Sequence, residues 1–317
     1  MNLVRIGVIE IGSRSVRYLV IDVPERMQDF KAVKIANAEH HIDPSRITSA
    51  NVDTLNSVVG QLCADLLSHS CDITCVYGTA LCRSIETMYP KKLSTAVRTL
   101  STEEEAMAAW AAGFLCQDED SGNDTISVID LGNGSTEIVR ASWNGVEIVN
   151  LKATSVSFGS SRLIDIYKKN EFSYMKFIED NIPPIKKAIR ETGIEQTYNG
   201  VIYVTGSAAT KIGWQKKRRD VSDVYRPHLV NGVKIKLDDL TDWYTSKSRA
   251  YKLNPKSVQR TIDPRRCSEI ETLLVLAGAP YIWALVTTID KGEEFFISGY
   301  GTRHGMAYLL KHGLLEY

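Results

Sequence analysis

Two segments of the chain share one short pattern, and this repeat constrains the fold more than any other feature of the sequence. In each segment an apolar run leads to an acidic residue, a glycine follows two positions later, and a serine follows five positions later. The matching residues are Glu10, Gly12 and Ser15 in the first segment, and Asp130, Gly132 and Ser135 in the second. A second β-branched, apolar run follows each turn, which predicts strand, tight turn and strand. Such a repeat is typical of duplicated supersecondary units that face a shared site.

The two turns, 10–15 and 130–136, have the composition of phosphate-binding loops. Glycine and serine let the backbone approach a ligand, and successive N–H groups can form a concave nest for phosphate oxygens. The candidate phosphate-binding residues are Gly12, Ser13, Arg14 and Ser15 in the first turn, and Gly132, Asn133, Gly134, Ser135 and Thr136 in the second. The alternative is an ordinary hairpin, because Asn-Gly is a strong hairpin signal. Two matching turns, each preceded by a carboxylate that could hold Mg²⁺ beside a phosphate, favour binding.

The remaining sequence alternates between strand and helix patterns, which predicts an α/β fold. Helices are expected over 48–68, 102–114, 268–286 and 303–310, and further strands over 72–79, 201–207 and 293–301. We expect 159–194 to be largely helical, with interruptions near Phe172 and at Pro183 and Pro184. Residues 215–266 are expected to hold helices and a variable loop.

A polar, acidic stretch at 116–124 is expected to connect two domains. The expected domains are 1–124 and 125–300. A C-terminal helix over about 301–317 is expected to pack back on the first domain.

Composition argues against several classes of partner. Lys and Arg together number 38, as do Asp and Glu, so the chain lacks the basic excess of a dedicated nucleic-acid binder. The N-terminus has no secretory features, and no apolar run approaches the roughly 18 residues of a membrane span. We therefore expect a cytoplasmic protein that engages neither nucleic acid nor membrane. The six cysteines and six histidines show no metal-ligand spacing, so reduced, mostly buried thiols are expected.

Seven segments, spread over nearly the whole chain, occur in the same order as the motifs of one known protein family. They are VIEIGSRSVRYLV, YGTALCR, LSTEEEA, VIDLGNGSTEIV, FGSSRL, VTGSAAT and ISGYGTRHG. The first resembles the opening V-I-D-x-G-S-N-S-x-R, and the fourth resembles the V-I-D-I-G-G-G-S-T-E-L, of the exopolyphosphatase/guanosine pentaphosphate phosphatase (Ppx/GppA) family. The resemblance implies two ribonuclease-H-like domains of the actin-like ATPase type with an interdomain cleft, in the short two-domain form.

The resemblance also implies roles for individual residues. Glu105, just before Ala106, matches the glutamate that activates water. The matching phosphate-binding positions are Arg17, Arg83, Arg162, Gly206 and Ser207. The matching metal-side carboxylates are Asp130 and Glu137, with Glu10 contributing from the first hairpin, and the implied cofactor is Mg²⁺ or another divalent cation.

Each of these assignments has a plainer alternative. A helix-capping box could use Ser101 with Glu104, or Thr102 with Glu105. Arg17 alternates along a strand and could face solvent. Glu137 could likewise be a solvent-facing strand residue.

The sequence departs from the family pattern at several positions. Glu10 replaces an aspartate, Arg14 an asparagine, and Asn133 a glycine. A longer carboxylate at position 10 disturbs a Mg²⁺ site that requires near-ideal octahedral geometry. Further departures are Thr102, Ser207 and Ala208, together with Leu273 near the place of a missing aspartate.

Three functions therefore stay open. The first is Mg²⁺-assisted release of terminal phosphate from inorganic polyphosphate or guanosine pentaphosphate. The second is a catalytically degenerate sensor that binds polyphosphate or a guanosine alarmone, and the third is an ATP-hydrolysing or kinase-like relative. Members of the family often pair, so a homodimer is open, and the sequence carries no surface signature that would show one.

Overall fold

In the computed structural model the chain divides into two compact units. Unit 1 comprises Met1–Leu115 and Thr302–Tyr317, and unit 2 comprises Cys116–Gly301. The division follows Leu115, whereas the expected boundary follows Asp124. The structure describes residues 3–13, 15–23, 31–39, 47–117, 124–169, 174–194, 200–218, 227–262, 268–289 and 293–315.

The described residues form strands and helices in an α/β arrangement. The strands are β1 (Val4–Ile11), β2 (Ser15–Val23), β3 (Lys31–Glu39), β4 (Ile73–Gly78), β5 (Arg98–Thr99), β6 (Thr125–Leu131), β7 (Thr136–Trp143), β8 (Ile148–Val156), β9 (Val201–Thr205), β10 (Val233–Lys236) and β11 (Glu294–Ile297). The α-helices are α1 (Ser49–Leu67), α2 (Ala80–Met88), α3 (Thr102–Phe114), α4 (Ser160–Lys169), α5 (Tyr174–Glu191), α6 (Ser207–Lys217), α7 (Leu237–Leu253), α8 (Pro255–Ile262), α9 (Glu269–Ile289) and α10 (Thr302–Lys311). A 3-10 helix covers Pro227–Val230.

Unit 1 is built on a five-stranded mixed sheet with strand order β3-β2-β1-β4-β5. The first three strands form an antiparallel meander, and β4 and β5 run parallel to β1. The hairpin expected around the first turn is confirmed. Ile9, Ile11 and Tyr18 belong to a core cluster that includes residues of α1 and α2, so alternate residues such as Glu10 face the other side of the sheet.

The helices α3 and α10 pack closely together in unit 1. A Cβ atom added to Gly305 would lie 1.9 Å from the carbonyl oxygen of Ala108, so a larger residue does not fit there. α10 also contacts β1 and β2. This packing brings the start of α10 to the end of β1.

Unit 2 repeats the arrangement of unit 1 and adds one strand. Its six-stranded sheet has the order β10-β11-β9-β6-β7-β8. Read from β8, the first five strands match the order and the directions of β3-β2-β1-β4-β5. The predicted α/β class with a duplicated unit is therefore confirmed, including the hairpin around the second turn.

The helix α9 forms the centre of the core of unit 2. It is long and apolar enough to cross a membrane by length and composition, but 89% of its most apolar window is buried inside the fold. A covered apolar surface of this kind belongs to a core helix.

One expected interruption is wrong, and another lies outside the described residues. α5 continues through Pro183 and Pro184, both of which are exposed. Because they lie on the exposed face, water can solvate the backbone carbonyls whose helical partners the prolines remove. Phe172 falls outside the described residues.

Candidate functional site

Glu105 lies in the first turn of α3 and pairs with Arg83 of α2. Nη2 of Arg83 donates to Oε2 of Glu105 at 2.8 Å, and the Glu105 side chain is 9% exposed. Nη1 of Arg83 donates to the carbonyl oxygen of Leu100 at 2.8 Å, just before α3 begins. The guanidinium of Arg83 and the N-terminus of α3 both place positive charge beside this carboxylate.

The capping role falls on Glu104. The Ser101 hydroxyl accepts from the Glu104 N–H at 3.1 Å, and the Glu104 carboxylate accepts from the Ser101 N–H at 2.8 Å. Glu104 also forms an ion pair with Arg98. The alternative in which Thr102 and Glu105 form the capping box is therefore wrong, and the Glu105 carboxylate points to Arg83.

The first turn is tied to the strand that follows it. The Gly12 N–H donates to the carbonyl oxygen of Ser15 at 3.0 Å. Ser15 is buried, and its hydroxyl accepts from Nε of Arg17 at 2.9 Å. Arg17 and Ser13 are both half-buried. Arg14 lies outside the described residues, so its phosphate-binding role stays a prediction.

Glu10 contacts the start of α10 within unit 1. Oγ1 of Thr302 donates to Oε1 of Glu10 at 3.3 Å, and Nε of Arg303 lies 3.4 Å from Oε2. Both charged side chains are 15% exposed. Burial lowers the pKa of Arg303, while the charge of Glu10 raises it. Glu10 is thus compensated by an arginine, and its role as a metal ligand stays a prediction.

The second turn is braced by the start of α4. The Ser160 N–H donates to the Gly132 carbonyl oxygen at 2.9 Å, and the Ser161 N–H donates to the Asn133 carbonyl oxygen at 3.1 Å. The Ser160 hydroxyl donates to the Asn133 side-chain oxygen at 3.0 Å. Neither Asn133 nor Gly134 has positive φ, so this is not the two-residue turn that Asn-Gly commonly forms. The Asn133 side chain therefore has a bracing role.

The carboxylates of the second hairpin lie opposite each other. Asp130 and Glu137 are register partners across β6 and β7. Glu137 is 4% exposed, so the solvent-facing alternative is wrong. Oγ of Ser155 donates to Glu137 at 3.0 Å from β8. Burial and, next, the negative charge of Asp130 raise the pKa of Glu137 to about 7. A cation bound here would relieve this repulsion.

The Asp130–Glu137 pair has the oxygen chemistry that Mg²⁺ favours. Among the described residues no group of three or more His, Cys, Asp or Glu side chains is arranged to hold a metal ion. A Mg²⁺ ion at the pair would need water or phosphate oxygens as its remaining ligands, which is how Mg²⁺ is commonly held in phosphate sites. The residues present therefore fit a phosphate-associated Mg²⁺ ion.

The described cysteines form no disulfides, and only Cys75 and Cys82 are buried. Cys63, Cys71, Cys75, Cys82 and Cys116 are all free of disulfides. Burial raises the pKa of Cys75 to about 11 and that of Cys82 and Cys116 to about 12, so these thiols keep their protons.

Gly206 and Ser207 form the turn between β9 and α6. Gly206 has φ of 98°, and a Cβ atom there would lie 2.3 Å from the carbonyl oxygen of Leu131 at the end of β6. Glycine is thus required by both conformation and space. This places the start of α6 beside the second turn within unit 2.

Arg162 lies in the first turn of α4, the helix whose start braces the second turn. Its Nη1 donates to the Ser157 carbonyl oxygen at 3.2 Å, and its guanidinium carbon lies 4.2 Å from the centre of the Phe158 ring. These contacts hold the guanidinium in place although the residue is exposed.

Three residues near Glu10 are not among the candidate site residues predicted from the sequence. Thr302 and Arg303 lie in the segment ISGYGTRHG, and Tyr77 begins YGTALCR. The signal was present in the motifs, but the contact to Glu10 depends on α10 packing against the start of the chain. A separation of 292 residues gives no local pattern to recognise.

No family model matches the sequence, and no curated protein matches it. Solved structures do match. A Ppx/GppA family member from Aquifex aeolicus superposes with a TM-score of 0.72 at 15% identity, covering 98% of this chain and 99% of that chain. An exopolyphosphatase from Cytophaga hutchinsonii superposes with a TM-score of 0.69 at 16% identity, covering 98% of both chains. An exopolyphosphatase-like protein gives a TM-score of 0.70 at 15% identity, covering 98% of this chain and all of the other.

These structures share the fold of this chain over nearly its full length. The expectation drawn from the seven sequence segments, that the chain has the Ppx/GppA fold, is confirmed. At 15–16% identity the likeness concerns the fold, and the activity is a separate question.

Proposed function

We propose that this protein is a phosphoanhydride hydrolase that releases terminal phosphate from inorganic polyphosphate or guanosine pentaphosphate. The observation that carries the proposal is the pair formed by the buried Glu105 carboxylate and the partly exposed Arg83 guanidinium at the start of α3. It places a carboxylate that can act as a base on a fold shared with exopolyphosphatases. The Asp130–Glu137 pair supports the same reading.

Water attacks the terminal phosphorus in line with the bridging oxygen. The new P–O bond forms as the bond from phosphorus to the bridging oxygen breaks, and the shortened chain leaves with that oxygen. Glu105 accepts the proton of the attacking water, while Arg83 holds the carboxylate in place. The guanidinium groups of Arg17 and Arg162 bind phosphoryl oxygens. Catalysis here is positioning and charge stabilisation, with no covalent intermediate.

Asp130 and Glu137 are the residues that would hold Mg²⁺, which supplies charge neutralisation at the phosphate oxygens when it is bound. Glu137 must lose its proton for this. Because its pKa is about 7, cation binding and deprotonation are linked at neutral pH.

The test is phosphate release from polyphosphate and from guanosine pentaphosphate with Mg²⁺, comparing wild type with Glu105→Gln. We expect release from at least one substrate and a loss of at least about a hundredfold in the variant. Glu103→Gln is the matched control, because Glu103 lies in the same helical turn but is exposed. Equal rates in the wild type and Glu105→Gln would remove Glu105 as the base.

One observation favours the sensor alternative. Glu10 is engaged by Thr302 and Arg303, so this carboxylate is compensated within unit 1. Tight binding of either substrate by the wild type without any release would support a sensor. ATP turnover above that of both substrates would instead favour an ATP-hydrolysing member of the fold.

A further inference from the structure

A row of polar side chains crosses the sheet of unit 1 on one face. Arg17, Glu10, Tyr77 and Arg98 are successive register partners on β2, β1, β4 and β5. Register partners on neighbouring strands project to the same face, so all four side chains point to the side on which α3 and α10 pack. We call these four residues the polar row.

The ends of two helices bring further charges to the polar row. The start of α10 brings Thr302 and Arg303 to Glu10, and the start of α3 brings Glu104 to Arg98. Tyr77 is the neutral member of the row, and its side chain is fully buried. A phenol in this position has its hydroxyl among charged groups.

Three buried donor atoms in this region have no hydrogen-bond partner among the described residues. They are Oη of Tyr77, Nε of Arg303 and Nη1 of Arg98. Nε of Arg303 lies 3.4 Å from Glu10, but the contact lacks hydrogen-bond geometry. Guanidinium N–H groups can only donate, whereas a phenol hydroxyl can donate and accept. Leaving such groups unpaired inside a fold is costly, so an oxygen acceptor is expected beside them.

We propose that an internal water molecule joins Oη of Tyr77, Nε of Arg303 and the carboxylate of Glu10, which makes Tyr77 a positioning residue for the Glu10–Arg303 pair. Buried waters typically make about three hydrogen bonds to groups that otherwise lack partners. Tyr77 is the register partner of Glu10, and Arg303 lies 3.4 Å from Glu10, so the three polar groups share one region of unit 1. A water here converts a loose 3.4 Å contact into a connected network.

The protonation state of Tyr77 suits this role. Burial and the negative charge of Glu10 raise the pKa of Tyr77 well above its usual range. The hydroxyl therefore keeps its proton and can donate to water while accepting a second hydrogen bond.

The consequence for activity rests on the proposed function. Glu10 and Arg17 flank the first turn on β1 and β2, so fixing the Glu10–Arg303 pair fixes the charges beside that turn. Loss of the network should weaken the binding of a phosphate chain, because the arginines lose their defined positions, while the proton transfer to Glu105 is left in place. We therefore expect KM to change more than kcat.

The first test is Tyr77→Phe, which removes the hydroxyl and keeps the ring. We expect a lower Tm, a rise in KM for polyphosphate on the order of tenfold, and little change in kcat. Tyr18→Phe is the matched control, because Tyr18 lies on the opposite face of the same sheet and its hydroxyl bonds to Asp65. That variant should lose stability with KM unchanged. A Tyr77→Phe protein that is more stable than wild type, with unchanged KM, would show that the hydroxyl is simply unpaired and would overturn the proposal.

A crystal structure that resolves internal waters provides the second test, and it does not depend on activity. We expect a water within hydrogen-bonding distance of Tyr77 Oη and Arg303 Nε in the wild type, and its loss in Tyr77→Phe. A dry site would overturn the proposal, and a phosphate oxygen in that place would make Tyr77 a ligand-binding residue instead. Should the wild type hydrolyse none of the substrates, the proposed function fails, and Tm with the crystal structures still decides the role of Tyr77.

Discussion

The two hairpins occupy equivalent places in the two sheets but carry opposite charge patterns. In unit 2, Asp130 faces Glu137 across β6 and β7. In unit 1, Glu10 faces Arg17 across β1 and β2, at the same offset of seven residues. Two facing carboxylates attract a cation, whereas a facing acid and base compensate each other. The two hairpins share one backbone arrangement but differ in the charges of their facing side chains.

The surroundings of the hairpins strengthen this difference. The second turn is braced by hydroxyl and amide groups of Ser160 and Ser161, which bring no charge. The end of the first hairpin is met by Arg303 from α10. In the proposed function the acidic pair of unit 2 would hold Mg²⁺, and Arg17 of the first hairpin would bind phosphate oxygens.

The largest effect on activity is expected when one carboxylate of the Asp130–Glu137 pair is removed. Glu137→Gln keeps the shape of the side chain but removes its negative charge. The affinity for Mg²⁺ should fall because one charged ligand is lost. We expect phosphate release to drop by at least about a hundredfold, and the rise in Tm produced by Mg²⁺ to disappear. Glu147→Gln serves as control, because Glu147 is an exposed acid in the connection between β7 and β8. A Glu137→Gln protein that still gains stability from Mg²⁺ would place the ion elsewhere.

The corresponding change in the first hairpin should affect substrate rather than metal. Arg17→Gln removes a charge-assisted phosphate contact, which is worth about 1.5–3 kcal/mol. We expect KM for polyphosphate to rise by at least about tenfold, with the concentration of Mg²⁺ needed for half-maximal activity unchanged. Arg5→Gln is a suitable comparison, because Arg5 lies on β1 at the far end of the hairpin and pairs with Asp22 at 2.7 Å. A shift in Mg²⁺ requirement in Arg17→Gln would contradict the separation of roles.

Local patterns in the sequence were enough to predict the repeated hairpins and the main helices. The capping box at Ser101 and Glu104 and the apolar spacing of α1 are properties of neighbouring residues, so both helices could be recognised. Local patterns do not predict β3, β5, β8, β10, α2 or α6. The segment YGTALCR, for example, is a family motif and also runs into α2. Asn133-Gly134 indicates a hairpin, but the bracing contact of Asn133 with Ser160 spans 27 residues and has no local signal.

Sequence motifs likewise predict some residues of the candidate site but not the contacts that depend on tertiary packing. Glu105 lies in the first turn of α3, Asp130 near the end of β6 and Glu137 near the start of β7, and each belongs to a sequence motif that can identify it. The contact between Glu10 and Arg303 depends on the chain terminus returning to unit 1, and no nearby residue signals it. The burial of Glu137 also follows from packing, since alternation along β7 alone leaves both faces open.

The acidic pair should also make stability depend on pH. The pKa of Glu137 is about 7 in the folded chain and about 4.3 in an unfolded one, so the folded state holds more protons between these values. Stability should therefore fall as pH rises from about 4.5 to about 7 and then level off, in the absence of metal. Urea unfolding at a series of pH values measures this for the wild type and Glu137→Gln. The variant should lose most of this slope, and a slope equal to that of wild type would assign the effect to another group.

The smallest effect is expected when Glu10 is replaced by aspartate, the residue type found at the equivalent Asp130. Glu10→Asp shortens the side chain by one methylene, so its carboxylate withdraws from Thr302 and Arg303. We expect Tm to fall by a few degrees, which corresponds to about 1 kcal/mol for a partly buried ion pair. Because Arg17 still faces position 10, the shorter acid should leave the Mg²⁺ requirement unchanged. If Glu10→Asp instead raises the affinity for Mg²⁺, then the length of the side chain, and not the facing arginine, keeps the first hairpin from holding a metal ion.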